Sequence, residues 1–296
     1  MLEGINLKKA LTIAGSDSSG GAGIQADIKT MSAHRVFGMS VITAVTAQNT
    51  QGVFAVQDID KEIIIKQMDA IFTDIEVNAV KIGMVSKIET IEIIAEKLKE
   101  YKAKNVVVDP VMISKSGYNL LAPESKKALI EKLIPLADVI TPNLPEAEEI
   151  IKTYKEEGKL KEDIEKILPI DNKEKMEKAA GIIMQMGPKN VLMKGGHLEG
   201  EAVDILYSKE KISYFSSQRI KTKNTHGTGC TLSSAIASNL ALGYTLEESV
   251  KKAKDYIQIA IEHSLDIGKG VGPINHFYEL YNQVEIDKES YQYTVN

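Results

Sequence analysis

The chain has a single cysteine, very little arginine and no long hydrophobic run, and each shortage excludes a class of protein. One cysteine, Cys230, excludes an intramolecular disulfide and any multi-cysteine zinc or iron–sulfur site. No apolar run approaches the ~18 residues needed to cross a bilayer. The apolar stretch within the first fifteen residues is too short for a signal peptide. We therefore expect a cytoplasmic protein that has no membrane as a partner.

The net charge is small and negative, since 36 basic residues face 41 acidic ones and give −5. The chain lacks the long block of Lys and Arg that supplies most non-specific affinity for nucleic acid, so we expect no nucleic-acid partner. Only Arg35 and Arg219 are arginines. Any phosphate must therefore be bound largely by lysines and backbone N–H groups rather than by guanidinium forks.

Short β-branched runs alternate with longer amphipathic stretches, a pattern typical of βαβ units around a mostly parallel sheet. The predicted strands are 10–14, 40–46, 53–59, 77–82, 105–108, 138–141, 191–194 and a hairpin of 202–207 with 212–215. The predicted helices include 61–72, 88–101, 125–133 and 173–186. No linker interrupts the pattern, which favours one domain over residues 1–296. The Lys- and Glu-rich segment 152–178 is predicted to be a solvated surface excursion.

A first glycine cluster, residues 15–26, follows the first predicted strand and opens a helix. Gly21, Gly23 and Ala26 fit the loose dinucleotide-binding pattern. However, the glycines begin too late after the strand, and no acidic residue ends the second strand to bind a ribose. A dehydrogenase is therefore only a minor alternative.

Two interpretations of this cluster stay open. In the first, short side chains let a ligand approach the backbone, and Asp17 offers it a hydrogen-bond acceptor. In the second, the loop is a tight turn that needs glycine for positive φ, with Asp17 or Ser19 as a local cap. Gln48 ends the neighbouring strand, and its amide, which both donates and accepts, suits the edge of a heteroaromatic ring.

A second glycine cluster, residues 224–230, also opens a helix. Gly227 and Gly229 flank Thr228, so successive N–H groups can point into one concavity at the positive end of a helix, as in phosphate sites. The alternative is an ordinary helix start capped by Thr228. Cys230 falls in the first turn, where N–H dipoles lower the pKa of a thiol and favour a role as base; the alternative is a buried small hydrophobe.

No Walker-type loop is present, so any ATP must be held by residues that follow the other strands. The candidates are the strand-end clusters 81–84, 109–112, 141–146 and 193–197. Asp109 and Glu146 offer oxygen ligands for Mg²⁺, and Lys194 offers a point charge for phosphate. Alternatively, Asp109 merely ends a strand, and residues 143–146 cap a helix. His197 and His226 are predicted to be loop histidines rather than metal ligands.

Taken together, these clusters resemble the hydroxymethylpyrimidine/phosphomethylpyrimidine kinases of thiamin biosynthesis, members of the ribokinase-like superfamily. The resemblance extends from about residue 10 to 278. It is carried by the stretches 15–27, 47–50, 81–84, 109–112, 141–146, 193–197, 224–230 and 270–273. The charged segment 152–178 is longer than the family leads us to expect.

The resemblance implies an α/β/α sandwich and two successive ATP-dependent phosphorylations, first of a pyrimidine hydroxymethyl group and then of the resulting monophosphate. It implies that Gln48 reads the pyrimidine edge in a pocket lined by Gly15, Asp17, Met84 and Val111. It also implies phosphate and Mg²⁺ contacts from Asp109, Asn143, Glu146 and Lys194. The anion hole would be formed by Gly227, Thr228 and Gly229, with Cys230 as the base.

Three alternatives to this function differ in substrate or class. A pyridoxal or pyridoxine kinase is the nearest, because its substrates have a similar hydroxymethyl-heteroaromatic shape. A non-catalytic sensor would keep the pocket but need none of the candidate catalytic residues, and the dehydrogenase is described above. Dimers are common among the enzymes that this chain resembles, so a homodimer is a possible assembly.

Overall fold

The computed structural model describes residues 6–112, 121–196, 198 and 202–283. Nine strands form one sheet in the order β3-β2-β1-β4-β5-β6-β7-β8-β9. Their bounds are β1 Lys9–Asp17, β2 Phe37–Asn49, β3 Gly52–Asp58, β4 Ala79–Ile82, β5 Val106–Val108, β6 Val139–Ile140, β7 Asn190–Met193, β8 Ala202–Ser208 and β9 Ile212–Ser217. The six central strands of the sheet, β2, β1, β4, β5, β6 and β7, pair in parallel. At the two edges, β3 pairs antiparallel with β2, and β8 and β9 continue antiparallel from β7.

Helices connect the strands and cover the sheet. Their bounds are α1 Gly23–Ala33, α2 Lys61–Phe72, α3 Ile88–Glu100, α4 Pro123–Ala128, α5 Leu144–Glu156, α6 Lys173–Met184, α7 Thr228–Ala241, α8 Leu246–Glu262 and α9 Tyr278–Gln283. Helix α4 continues into a π-helical turn, Leu129–Leu133, and a 3₁₀ turn, Ile134–Leu136. Among the described residues, no helix is both long and apolar enough to cross a bilayer.

The sheet has a hydrophobic core on each face. Val106 and Val108 pack into the core beneath α2 to α6, whereas Val107, between them, packs into the core beneath α1, α7 and α8. An unbroken apolar strand is what two buried faces require, because successive side chains point to opposite sides. The predicted three-layer α/β/α architecture is therefore confirmed. One domain over residues 1–296 stays a prediction.

Most of the charged side chains of the segment 152–178 are exposed, but the segment also packs against the core. Its first residues continue α5 to Glu156, and its last residues begin α6 at Lys173. Between the two helices, Leu160, Ile167 and Ile170 are buried in the core. The sequence did not reveal these contacts, because the apolar residues are spaced too irregularly among the charged ones to show a period. The segment is a surface connection that is anchored from beneath.

Candidate functional site

The two glycine clusters lie in direct contact at the carboxyl ends of the parallel strands. Gly227 has φ +82°, and a Cβ there would lie 1.8 Å from the carbonyl oxygen of Gly21. A Cβ on Gly21 would in turn lie 2.3 Å from the His226 ring. Glycine is therefore required on both sides of this contact. The loops that open α1 and α7 form one surface, although some 200 residues separate them in sequence.

Asp17 connects these two loops. Its Oδ1 accepts hydrogen bonds from the Ser19 backbone N–H at 2.8 Å and from the Ser19 hydroxyl at 2.7 Å. Its Oδ2 accepts from Ala22 N–H and lies 2.8 Å from His226 Nε2. Burial opposes ionisation of Asp17, but the hydrogen bonds from His226 and Ser19 outweigh it and lower the pKa to about 2. These contacts are those of the local-cap interpretation, with His226 added.

His226 and Gln48 meet beside Asp17. His226 is buried, and its Nε2 lies 3.4 Å from the Nε2 of Gln48, whose Oε1 accepts from the Thr46 hydroxyl at 3.1 Å. His226 lies in a loop, as predicted, and its ring also joins the second glycine cluster to Asp17 in the first. No sequence spacing could have revealed a pair that is separated by 209 positions.

Gln48 and His226 line a cavity of about 420 Å³, together with the turn between β2 and β3 and the chain around Lys269. Of the other predicted pocket residues, Gly15 and Met84 are neighbours, since a Cβ on Gly15 would lie 3.3 Å from Met84 Cε. Val111 follows Asp109, and its N–H donates to the Asp109 carbonyl at 2.8 Å. A larger cavity, about 480 Å³, lies among α3, α4 and α5, and its lining includes none of the predicted site residues.

The start of α7 carries no side-chain cap. Gly227 is the N-cap residue and Thr228 the first helical residue, so the alternative in which Thr228 caps this helix was wrong. A Cβ on Gly229 would lie 3.4 Å from Asp109 Oδ2 and 3.5 Å from Lys194 Nζ. The uncapped N–H groups of α7 therefore border an acidic and a basic side chain, which come from the ends of β5 and β7.

Asp109 and Lys194 form a close ion pair. Lys194 Nζ lies 2.9 Å from Asp109 Oδ1, which also accepts from the Thr141 hydroxyl at 3.0 Å. Burial disfavours both charges, yet the mutual attraction lowers the pKa of Asp109 and raises the pKa of Lys194. Asp109 does more than end a strand, because it holds the lysine against the start of α7.

Asn143 and Glu146 form the start of α5. The Asn143 side chain accepts from Glu146 N–H, and the Glu146 carboxylate accepts from Asn143 N–H, each at 2.8 Å. This reciprocal arrangement is a capping box. The helix-cap interpretation of residues 143–146 is therefore confirmed as a description of their contacts. Lys194 N–H donates to the Pro142 carbonyl at 2.8 Å, which brings this cap beside the Asp109–Lys194 pair.

The surroundings of Cys230 differ from the prediction. Part of the residue is accessible to solvent, but the atoms packed around its thiol raise the pKa to about 11, and the charges of Asp27 and Asp109 add to this. Lys81 and the N–H of Gly23 act in the opposite direction. The prediction of a lowered pKa was therefore wrong, because a helix start lowers the pKa only where burial does not outweigh it.

Lys81, from the candidate cluster 81–84, is a core residue of β4 that pairs with Asp27 and is not available to a nucleotide. Another pair escaped prediction, in which Asp204 accepts from Gly195 N–H and from Lys254, both at 2.9 Å. His197 lies outside the described residues. Within them, no group of three or more His, Cys, Asp or Glu side chains could hold a metal by itself.

Comparison with known proteins assigns the chain to a family. The model of the phosphomethylpyrimidine kinase family matches residues 17–275. The chain belongs to this family. A hydroxymethylpyrimidine/phosphomethylpyrimidine kinase of Rhizobium meliloti (strain 1021) is 51% identical over 275 residues, which cover 92% of this chain and 98% of that protein. The resemblance that the motifs indicated is thereby confirmed.

Two solved structures of phosphomethylpyrimidine and vitamin kinases are similar to the chain. A phosphomethylpyrimidine kinase from Clostridium difficile 630 is 56% identical with a TM-score of 0.73, over 86% of this chain and 99% of that one. An ADP complex of Bacillus subtilis pyridoxal kinase is 40% identical with a TM-score of 0.81, over 92% and 98%. These two kinases therefore share the fold of this chain.

Proposed function

We propose that this protein transfers the γ-phosphoryl group of ATP to the hydroxymethyl group of 4-amino-5-hydroxymethyl-2-methylpyrimidine, and then phosphorylates the monophosphate to the diphosphate. One observation carries the proposal. In a chain of this family, the uncapped start of α7 borders the Asp109–Lys194 pair on one side and adjoins the Asp17–His226–Gln48 cluster on the other. A phosphate site and an acceptor site therefore meet at Gly227.

Phosphate binding rests on the N–H groups of Gly227, Thr228 and Gly229 and on Lys194. The positive end of α7 stabilises the charge that develops on the transferred group, and Lys194 adds a point charge. Asn143 contributes from the start of α5, which Lys194 contacts through Pro142. Since Arg35 and Arg219 are the only arginines, this division between lysine and backbone follows from the composition.

Asp109 and Glu146 are the residues that would hold Mg²⁺. Two carboxylates are too few for a site made of protein alone, but they suit an ion that arrives with the phosphates of ATP and keeps some of its waters. Asp109 Oδ2 faces Gly229, and the one hydrogen bond that it receives from the described residues is a long one, 3.4 Å, from Ser233. When bound, Mg²⁺ neutralises charge on the transferring phosphates.

The two phosphorylations differ in their need for a base. An alcohol must lose a proton to attack phosphorus, whereas a phosphate monoester is already an oxyanion at neutral pH. Cys230 lies in the first turn of α7 and takes the proton in the first step only. Its raised pKa makes the thiolate scarce at neutral pH but a strong base.

The pyrimidine binds with its edge against the Gln48 amide, in a pocket that Gly15, Asp17, Met84 and Val111 line. Gln48 can present both a donor and an acceptor to the ring. Asp17 acts mainly by orienting His226, because hydrogen bonds within the protein already engage both of its oxygens.

A pyridoxal kinase is the second candidate, because the pyridoxal kinase of Bacillus subtilis has the higher TM-score of the two structures above, 0.81 against 0.73. ADP release with hydroxymethylpyrimidine, its monophosphate and pyridoxal as separate acceptors decides between the two. We expect turnover with both pyrimidines. Turnover with pyridoxal alone would assign the second function, and turnover with none of them would favour a sensor.

We also propose a cytoplasmic location and, as the resemblance implies, a homodimer. Sedimentation equilibrium of the purified protein measures the assembly, with about twice the 32.5 kDa chain mass expected.

A further inference from the structure

Directly behind the site, three buried side chains from three different elements meet at one carboxylate, that of Asp27 in α1. Its Oδ1 accepts from the Ser234 hydroxyl of α7 at 2.6 Å and its Oδ2 from the Thr12 hydroxyl of β1 at 2.6 Å. Lys81 Nζ of β4 donates to both oxygens, at 2.9 and 2.8 Å. All four residues have an exposed fraction of 0%.

An ion pair at such depth is not needed for stability. Desolvation of the two charges offsets most of their attraction, and apolar side chains of the same volume often serve the fold as well or better. Hydrogen bonds do, however, fix direction and register, whereas apolar contacts let helices slide on a sheet. The helices that this cluster connects are therefore the elements whose position it fixes.

The cluster joins the two helices that the glycine loops open. Asp27 is the fifth residue of α1, and Ser234 is the seventh residue of α7. Cys230 precedes Ser234 by one helical turn on the same face of α7, and its thiol lies near the N–H of Gly23, the first residue of α1. The start of α7 thus lies against α1 at Cys230 and is hydrogen-bonded to α1 at Ser234.

We propose that Asp27 is a positioning residue. With Lys81 beneath it, Asp27 acts through Ser234 to fix Cys230 and the N–H groups of Gly227 to Gly229. These groups are thereby held at the distance from the first glycine loop that phosphoryl transfer needs. This assignment rests on the proposed function for the use of that geometry. The placement of Cys230 by Asp27 is measurable without any substrate.

The test compares Ser234→Ala with Ser238→Ala. Both serines are fully buried in α7, but Ser238 donates to the backbone carbonyl of Ser234 and does not touch Asp27. We expect Ser234→Ala to lower kcat for hydroxymethylpyrimidine roughly tenfold and to change each KM less than about twofold, because misplaced N–H groups weaken binding of the transition state alone. Ser238→Ala should keep both values within about twofold.

A second readout uses the single thiol of the chain. Alkylation by iodoacetamide reports on Cys230 alone. We expect Ser234→Ala to speed it roughly threefold or more, because the first turn of α7 loosens from α1, with no change in Ser238→Ala. Thr12→Val should act as Ser234→Ala does, and Thr12→Ser, which keeps the hydroxyl, should restore both readouts.

Equal alkylation rates in Ser234→Ala and the unmodified protein would overturn the inference, and so would a normal kcat in Ser234→Ala. If the unmodified protein turns over no pyrimidine, the proposed function fails instead, while the alkylation rates still decide whether Asp27 places Cys230.

Discussion

Helices α5 and α7 both begin at the carboxyl edge of the sheet, within reach of Lys194, but they begin in opposite ways. At α5, Asn143 and Glu146 exchange hydrogen bonds and occupy the backbone N–H groups of both residues. At α7, a glycine in the left-handed conformation takes the N-cap position and supplies no side chain. A capped helix start is complete by itself, whereas the N–H groups of an uncapped one are available to an anion.

This difference gives the starts of α5 and α7 different roles in the reaction. The N–H groups of α7 carry the developing charge of the reaction, so changes there should affect kcat. The start of α5 supports the neighbouring chain and contributes to ATP binding, so changes there should affect KM. Three substitutions test this division, and they are taken from the largest expected effect to the smallest.

Gly227→Ala should disrupt the anion site at the start of α7. A Cβ there would lie 1.8 Å from the Gly21 carbonyl oxygen, and φ of +82° is costly for any other residue. The two glycine loops must then separate, and we expect kcat for both phosphorylations to fall roughly 10³-fold, as when oxyanion donors are lost. Initial rates with each pyrimidine acceptor, at saturating ATP, measure the loss.

Gly243→Ala is the matched control for that substitution. Gly243 follows α7 and also has a positive φ, +94°, but an added Cβ would meet nothing within 4 Å. It should lower stability by about 1 kcal/mol, through backbone strain alone, and leave kcat intact. Equal losses of activity in the two variants would show that backbone strain at either end of α7 is sufficient to lower kcat. They would contradict a special role for the start of α7.

Cys230→Ala separates the two reactions that the start of α7 serves. We expect kcat for the alcohol to fall about 10²-fold and kcat for the monophosphate to change less than about threefold, because only the alcohol must lose a proton. Since the pKa of the thiol is about 11, kcat of the unmodified protein for the alcohol should rise nearly tenfold per pH unit from about pH 7 to pH 9.5. Product formation from each purified acceptor measures both effects.

The monophosphate is the internal control for the pH profile, since no thiolate is required there. A flat profile for both acceptors, or equal losses of both activities in Cys230→Ala, would mean that Cys230 only shapes the anion hole. The same start of α7 would then act through its backbone alone.

The fold could be predicted from the sequence to within a few residues per element, since the valines of β5 and the amphipathic helices reveal their buried faces by period. The strand-end clusters were also visible, because parallel strands bring their carboxyl ends to one edge. The buried residues within segment 152–178 were not predicted, because they show no period. Its buried residues Leu160 and Ile170 are recognised only when the core beneath them is present.

The site was harder, because its decisive contacts join distant positions. Asp17 meets His226 across 209 positions, and Asp27 meets Ser234 across 207. The predicted direction of the Cys230 pKa shift was wrong for a related reason. Local sequence shows that the thiol begins a helix, but burial by the neighbouring helix α1, which raises the pKa, depends on how α1 and α7 pack.

Asn143→Asp tests the smaller share given to α5. Aspartate caps a helix as well as asparagine, so stability should hold, but the added negative charge lies beside the phosphate site and should raise KM for ATP roughly tenfold with little change in kcat. Asn172→Asp is the control, because Asn172 caps α6 in the same way from an exposed position. KM for ATP measured in both variants decides the point. If Asn143→Asp leaves KM unchanged, Asn143 is a cap and nothing more, and the start of α7 with Lys194 binds the phosphates without help from α5.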